Sequence, residues 1–415
     1  MTIAGAVATS ERRNGSGGEQ TLTVLTVNLC IGVSGLTNRF LPRWFHISTM
    51  FWATVLAVLI PICLNLPWWV GLLLFPPLFI VLLLFLGLPL SRCLGPCQQA
   101  FGFDDLKKER IELFLQLLDD KPEWSSVDVI CVQECFGSLF LSGGYPKMLA
   151  DGARQRGFTH SVLPSNLPAF PATFAQNSGL MILSKIPIVD SASTAFGLSV
   201  ESMNVNRGAL YAKLEDGTHI FTCHVTPPTS VAGNGLLART LGPIVEGTRA
   251  SQMEELANFV TMHAPDDEPV VLAGDFNFDI DFDGFAAPAK PPLHSRVAVA
   301  LLAERCGLQE ATAAFRGSKD ELMGGSNFSS DICLKHCRPT FGYTGEGQDQ
   351  GPREVLLTSY GTGNTKNLCD DGAFSRGFKV LDVNEDSLLL PQALRRGSLT
   401  HLSDHWGVRL RLARR

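Results

Sequence analysis

The chain has 415 residues, 45% of them apolar and 18% charged, against a charged fraction of roughly 25% in an average soluble domain. Apolar content this high excludes disorder over most of the length, and collagen-like and low-complexity classes as well. The net charge is −6 and the pI is near 5.9, so no global field pulls the chain toward nucleic acid. A mean hydropathy of +0.15 predicts that part of the chain avoids water.

In chain order, residues 1–20 are polar and read as a disordered N-terminus with no secretory signal. Thr21–Asn28 alternates β-branched and polar residues, the pattern of a strand, and residues 21–43 open the soluble part. Between Arg43 and Arg92 lie 48 residues without Lys, Arg, Asp or Glu, and His46 is the one imidazole among them. This stretch, 44–92, predicts a membrane hairpin with spans near 47–64 and 68–90, split at Pro67. A re-entrant hairpin and a buried core hairpin are the alternatives, because Pro61, Pro76 and Pro77 lie inside. Trp44, Trp52, Trp68 and Trp69 stand where interfacial belts are found. Basic residues on both flanks (Arg39, Arg43, Arg92, Lys107) place both ends, and so the catalytic part, on the cytosolic side of an integral membrane protein. Cys93 and Cys97 just beyond are juxtamembrane thiols of the kind that can be S-acylated. The eleven cysteines form no disulfide framework and read as reduced.

From residue 93 to 415 the pattern alternates helix and strand. Asp104–Leu118 and Thr248–Met262 carry apolar residues at helical spacing. Val127–Val132, Gly179–Leu183, Ala209–Leu214, His219–His224, Pro269–Ala273, Val355–Thr358 and Trp406–Leu412 read as strands. Segments 281–295 and 313–352 are rich in Gly, Pro, Ser and Asp and read as loops. Several strands end on a polar residue, as in α/β enzymes that collect a site from strand ends.

Five motifs carry the chemistry: T-V-N ending at Asn28, V-Q-E-C with Glu134, the run 177–188 opening at Asn177, L-A-G-D-F-N with Asp275 and Asn277, and L-S-D-H-W-G-V with Asp404 and His405. Asn28, Glu134, Asp275, Asn277 and Asp404 offer hard oxygen ligands with no sulfur partner, which suits Mg²⁺ or Mn²⁺ rather than zinc. Mg²⁺ takes few carboxylates, and Glu134 is the first choice. His405 is a candidate general base and His224 a second imidazole facing a phosphoryl oxygen. The C-L-K-H-C run at 333–337 is half a zinc site without a second half, and Asp279, Asp281 and Asp283 lack the glycine and distal glutamate of a calcium loop.

In this order the five motifs resemble the endonuclease/exonuclease/phosphatase superfamily. Within it the chain most resembles neutral sphingomyelinases, through N-R-G-A-L-Y-A-K-L at 206–214, C-H-V-T-P-P at 223–228 and G-D-F-N-F-D at 274–279. The resemblance implies a four-layer α/β sandwich, two packed mixed sheets flanked by helices, with the two-helix transmembrane hairpin as an insertion. It implies that Asn28 and Glu134 form the early metal-site pair, with Asp404 beside the metal. Asn177 and Asn277 would meet phosphate, and His224 would stabilise the developing phosphorane. Asp275 would position or deprotonate the attacking water, and His405 would be the essential imidazole. The family's His-orienting Asp is sought in R-E-V-L at 353–356, where Glu354 stands in its place. The family's substrate-controlling Lys is matched by Arg207. The implied activity is a membrane-anchored, Mg²⁺-dependent hydrolysis of sphingomyelin to ceramide and phosphocholine, with a membrane phospholipid as substrate, the bilayer as partner and no nucleic acid. A lipid phosphatase, a nuclease and an inactive headgroup-binding scaffold are the alternatives.

Overall fold

The computed structural model describes residues 20–31, 43–64, 67, 69–82, 107–136, 144–164, 177–197, 206–227, 236–277, 293–311, 371–386, 388, 390, 393, 402–403 and 405–415. Twelve strands form two six-stranded sheets. The first sheet runs β11 (Phe378–Asp386), β12 (Gly407–Arg414), β1 (Thr21–Ile31), β2 (Val129–Cys135), β4 (Met181–Ser184), β3 (His160–Val162). The second runs β5 (Ile188–Ala195), β6 (Gly208–Leu214), β7 (His219–His224), β8 (Val270–Asp275), β10 (Asp371–Arg376), β9 (Gln309–Glu310). Both sheets are mixed: β1 pairs parallel with β2 and β7 with β8, and the other pairs are antiparallel.

Three cores separate four layers. Helices α3 (Lys107–Asp120), α4 (Pro122–Ser125) and α5 (Tyr145–Arg154) cover the first sheet through Ile111, Phe114, Leu117, Trp124 and Leu149. Helices α6 (Leu236–His263) and α7 (Leu293–Arg305) cover the second through Met253, Leu256, Val260 and Leu302. Between the sheets lie Leu22, Val24, Val129, Cys131, Leu210, Ile220, Val271 and Ala273. Strand alternation sorts these side chains. On β1, Leu22 and Val24 face the other sheet, whereas Leu25, Val27 and Leu29 face the helices. Strands buried on both faces explain why the apolar fraction is high.

The membrane reading of residues 44–92 is corrected here. Two helices form there, α1 (Arg43–Cys63) and α2 (Trp69–Leu82), and they pack on each other with Ala57 against Gly71. Among the described residues, no helix is long and apolar enough to cross a membrane. At a rise of 1.5 Å per residue, α2 spans only ~21 Å of the ~30 Å hydrocarbon layer. Helix α1 is longer, but it opens on Arg43, His46, Ser48 and Thr49. The transmembrane insertion and the integral-membrane location are therefore withdrawn. The N-terminal segment 1–19, Cys93, Cys97, Val355–Thr358 and the 313–352 loop lie outside the described residues. The loop expected over 281–295 ends in helix, since α7 starts at Leu293.

Candidate active site

The rows of side chains facing the other sheet change from apolar to polar at one end of the sandwich. On β1 the row is Leu22, Val24, Thr26, Asn28; on β7 it is Ile220, Thr222, His224; on β8 it is Val271, Ala273, Asp275. Because β7 and β8 run parallel, His224 and Asp275 sit side by side in register. Antiparallel β10 begins there, with Asp371 paired to Asp275. Strand β12 runs antiparallel to β1, so His405, just before it, returns to the same end.

Glu134 reaches this cluster through a local break. Ile130 and Val132 face the helices and so does Cys135, which requires one change of parity between them. The change falls at Glu134, whose φ is 57°. A non-glycine residue in that region is rare and marks a backbone held by its surroundings. Asn277, with φ 51°, is a second such residue. Its backbone N–H donates to Asp275 Oδ1 at 2.8 Å, its side-chain amide donates to the Val225 carbonyl at 2.9 Å, and its own carbonyl accepts from the buried Arg249 guanidinium at 2.7 Å.

Asp275 is the hub. Its Oδ2 accepts from Asn28 Nδ2 at 2.9 Å and lies 3.5 Å from His224 Nε2 and 4.0 Å from His405 Nε2. Glu134 Oε1 lies 3.5 Å from the same His224 nitrogen. One atom each of Glu134, His224 and Asp275 fall within 4.8 Å of one another, as do one each of Asp275, Asp371 and His405. The two carboxylates of the first set, with the Asn28 amide beside them, are hard oxygen donors of the kind that suits a cation such as Mg²⁺ or Mn²⁺. Neighbouring Cys223 faces the helices, and burial holds its thiol well above the usual range.

His405 Nδ1 lies 2.8 Å from Asp371 Oδ2, and both residues are buried. A carboxylate accepting at Nδ1 fixes the ring proton there and leaves the Nε2 lone pair facing Asp275. The orienting carboxylate is thus Asp371. Glu354, to which the sequence reading gave this role, lies outside the described residues, as does Asp404. His224 is fully enclosed, and burial first, then the Arg207 guanidinium and His405, hold its imidazole well below the usual histidine range. It is neutral at physiological pH. Arg207 Nη1 lies 2.6 Å from His224 Nδ1 and also touches Nε2. Arg207 therefore sits against the site, on the imidazole. Asn177 is buried, and it connects to the site through Gly179: its Oδ1 accepts from Gly179 N at 3.0 Å, and Gly179 O accepts from Cys135 N next to Glu134.

Comparison with known proteins follows the same lines. The model of the Endonuclease/Exonuclease/phosphatase family matches residues 101–405. A sphingomyelinase of Dictyostelium discoideum is 27% identical over 173 residues, covering 36% of this chain and 37% of that protein, so the match spans little more than a third of the relative. Sphingomyelinase C from Streptomyces griseocarneus is similar with a TM-score of 0.47 at 16% identity, over 94% of this chain and 99% of that one. A Staphylococcus aureus beta toxin mutant with bound magnesium ions gives 0.42 at 17% identity, over 74% and 91%. These two likenesses concern the fold.

Proposed function

The chain belongs to the Endonuclease/Exonuclease/phosphatase family, and on that premise we propose that it is a divalent-cation-dependent phosphodiesterase that hydrolyses sphingomyelin to ceramide and phosphocholine. One observation carries the reading: Glu134, His224 and Asp275 converge beside an imidazole, His405, whose far nitrogen is held by Asp371. The sphingomyelinase relative and the 206–214, 223–228 and 274–279 segments favour a choline phospholipid over other phosphodiesters.

Each residue has a task in this scheme. Glu134, with Asp275 and Asn28, would hold Mg²⁺ or Mn²⁺. When bound, the cation would supply charge neutralisation on the phosphoryl oxygens. His405 Nε2 takes a proton from the attacking water as the water oxygen bonds to phosphorus. The bond from phosphorus to the ceramide oxygen breaks, that oxygen takes a proton from solvent as ceramide leaves, and the proton on His405 passes back to solvent. Neutral His224 donates a hydrogen bond to the oxygen that gains charge. Asn277 and Asn177 contribute amide groups toward the phosphate, and Arg207 adds positive charge at the same edge.

The test is phosphocholine release from sphingomyelin in detergent micelles, with Mg²⁺, with EDTA, and for His405→Ala. The expected result is EDTA-sensitive release that falls by roughly 10²- to 10⁴-fold in the variant. Release that survives both EDTA and His405→Ala sinks the mechanism, and release of inorganic phosphate instead of phosphocholine sinks the substrate.

A further inference from the structure

Between the intersheet core and the site lies one polar layer, made of Thr26 on β1, Gln133 on β2 and Thr222 on β7, all fully buried. Gln133 Nε2 lies 2.8 Å from Thr222 Oγ1 and 3.1 Å from Thr26 Oγ1, and it also reaches the Cys131 carbonyl at 3.2 Å. Its Oε1 lies 3.4 Å from Thr26 Oγ1. The bond to Thr222 joins the first sheet to the second.

Each member of this layer stands next to a member of the site on its own strand. Thr26 is two residues before Asn28, Thr222 two before His224, and Gln133 immediately before Glu134. The site itself is split in the same way, with Asn28 and Glu134 on one sheet and His224 and Asp275 on the other. Glu134 leaves the regular strand at its left-handed φ, so its direction depends on where Gln133 is fixed. A buried amide is costly unless it is bonded. A leucine would fill this space but would leave the buried Thr26 and Thr222 hydroxyls without the amide that joins them, so the three polar side chains act as one unit across the two sheets. We propose that Gln133 is a positioning residue that sets the distance between the two halves of the divalent-cation site. The proposal rests on the reading of that site given above. Mg²⁺ needs oxygen ligands at about 2.0–2.1 Å in near-octahedral order, so a small slip of one sheet on the other disrupts it.

Calorimetric titration of the full chain with Mn²⁺, for wild type, Gln133→Leu, Gln133→Glu and Thr222→Val, separates the outcomes. Removing a group that orients metal ligands typically weakens metal binding about 10–100-fold, and that loss is expected for Gln133→Leu beyond the modest fall in melting temperature that the unbonded Thr26 and Thr222 hydroxyls cause. Gln133→Glu keeps oxygens that can accept from the threonine hydroxyls but sets one against the Cys131 carbonyl that Nε2 now reaches, so its affinity should lie between those of Gln133→Leu and wild type. Thr222→Val, which preserves shape, should show a partial loss and serves as the test if Gln133→Leu does not fold. Wild-type affinity in both Gln133→Leu and Thr222→Val overturns the proposal, as does a loss that tracks melting temperature across all variants. A wild-type chain that binds no Mn²⁺ overturns the reading of the site itself, and the proposal with it.

Discussion

Replacing Asp371 by Asn isolates the carboxylate contact at His405 Nδ1. The side chain keeps its shape, but its charge goes and one oxygen becomes an NH₂ donor. The hydrogen bond at stake is 2.8 Å long and joins two buried groups. A bond of this charge-assisted kind is worth about 1.5–3 kcal/mol. At about 1.4 kcal/mol per factor of ten, loss of that support alone lowers turnover by one to two decades. The amide can also donate to Nδ1, which moves the ring proton to Nε2 and removes the lone pair that faces the water. In a carboxylate–imidazole pair of another hydrolase, that tautomer reversal costs about 10⁴-fold. The expected result for Asp371→Asn is therefore a fall in kcat of roughly 10²- to 10⁴-fold, with KM little changed because Asp371 lies behind the imidazole. The assay is phosphocholine release at saturating Mg²⁺, with circular dichroism to confirm folding. A kcat close to wild type refutes the reasoning, and so does a large loss in Glu354→Gln beside an active Asp371→Asn.

Two further perturbations test the frame around the site. In Gly274→Ala the new Cβ would lie 2.4 Å from the Cys223 carbonyl oxygen and 2.8 Å from its nitrogen, so β8 must move away from β7; the expected cost is about 1–3 kcal/mol, read as a lower urea midpoint, with a further loss of turnover as His224 and Asp275 separate. At the opposite end of these strands, hydrogen bonds from Lys213 first and then His219 hold the Glu268 carboxyl down at about 2 from 4.5. A depressed carboxylate adds stability that is complete above its unfolded value and is lost as pH falls through the folded one. Glu268→Gln should then melt lower at pH 7 and show a flatter loss of stability between pH 4.5 and 2; an unchanged acid profile would remove Glu268 from the account.

Where side chains alternate or a polar residue ends an apolar run, the fold was legible. β1, β7 and β8 fall within a few residues of their expected bounds, and so Asn28, His224 and Asp275 meet as their motifs suggest. Asp371 was not legible because it sits in the run C-D-D-G (369–372), which has the composition of a turn. What makes it a strand is pairing with β8 on one side and β9 on the other, a tertiary effect that overrides local propensity. Helix α6 begins at Leu236 rather than Thr248 for a related reason: Gly242, Pro243 and Gly247 read locally as breakers. The apolar run after β1 did signal two helices. Composition alone could not show that, among the described residues, neither is long and apolar enough to cross a membrane. Nor could spacing show that Arg207 packs on His224, since that pairing exists only after β6 and β7 align.

The outer helices complete the site without touching its chemistry. Arg110 of α3 is buried, and its guanidinium donates to the carbonyls of Leu402, at 2.6 Å, and of Leu29. Arg249 of α6 is buried and donates to the carbonyl of Asn277. A charge taken out of water this far is costly, and these bonds to carbonyl oxygens offset part of that cost. Leu29 follows Asn28, Leu402 lies three residues before His405, and Asn277 is itself a site residue. Each buried guanidinium thus grips the backbone at, or within three residues of, a position that carries a functional side chain. With Gln133 tying the sheets together between them, every layer of the sandwich constrains the geometry at one end. That division explains how short polar motifs scattered from residue 28 to residue 405 can act as one site: the motifs supply the chemistry, and residues outside them supply the distances.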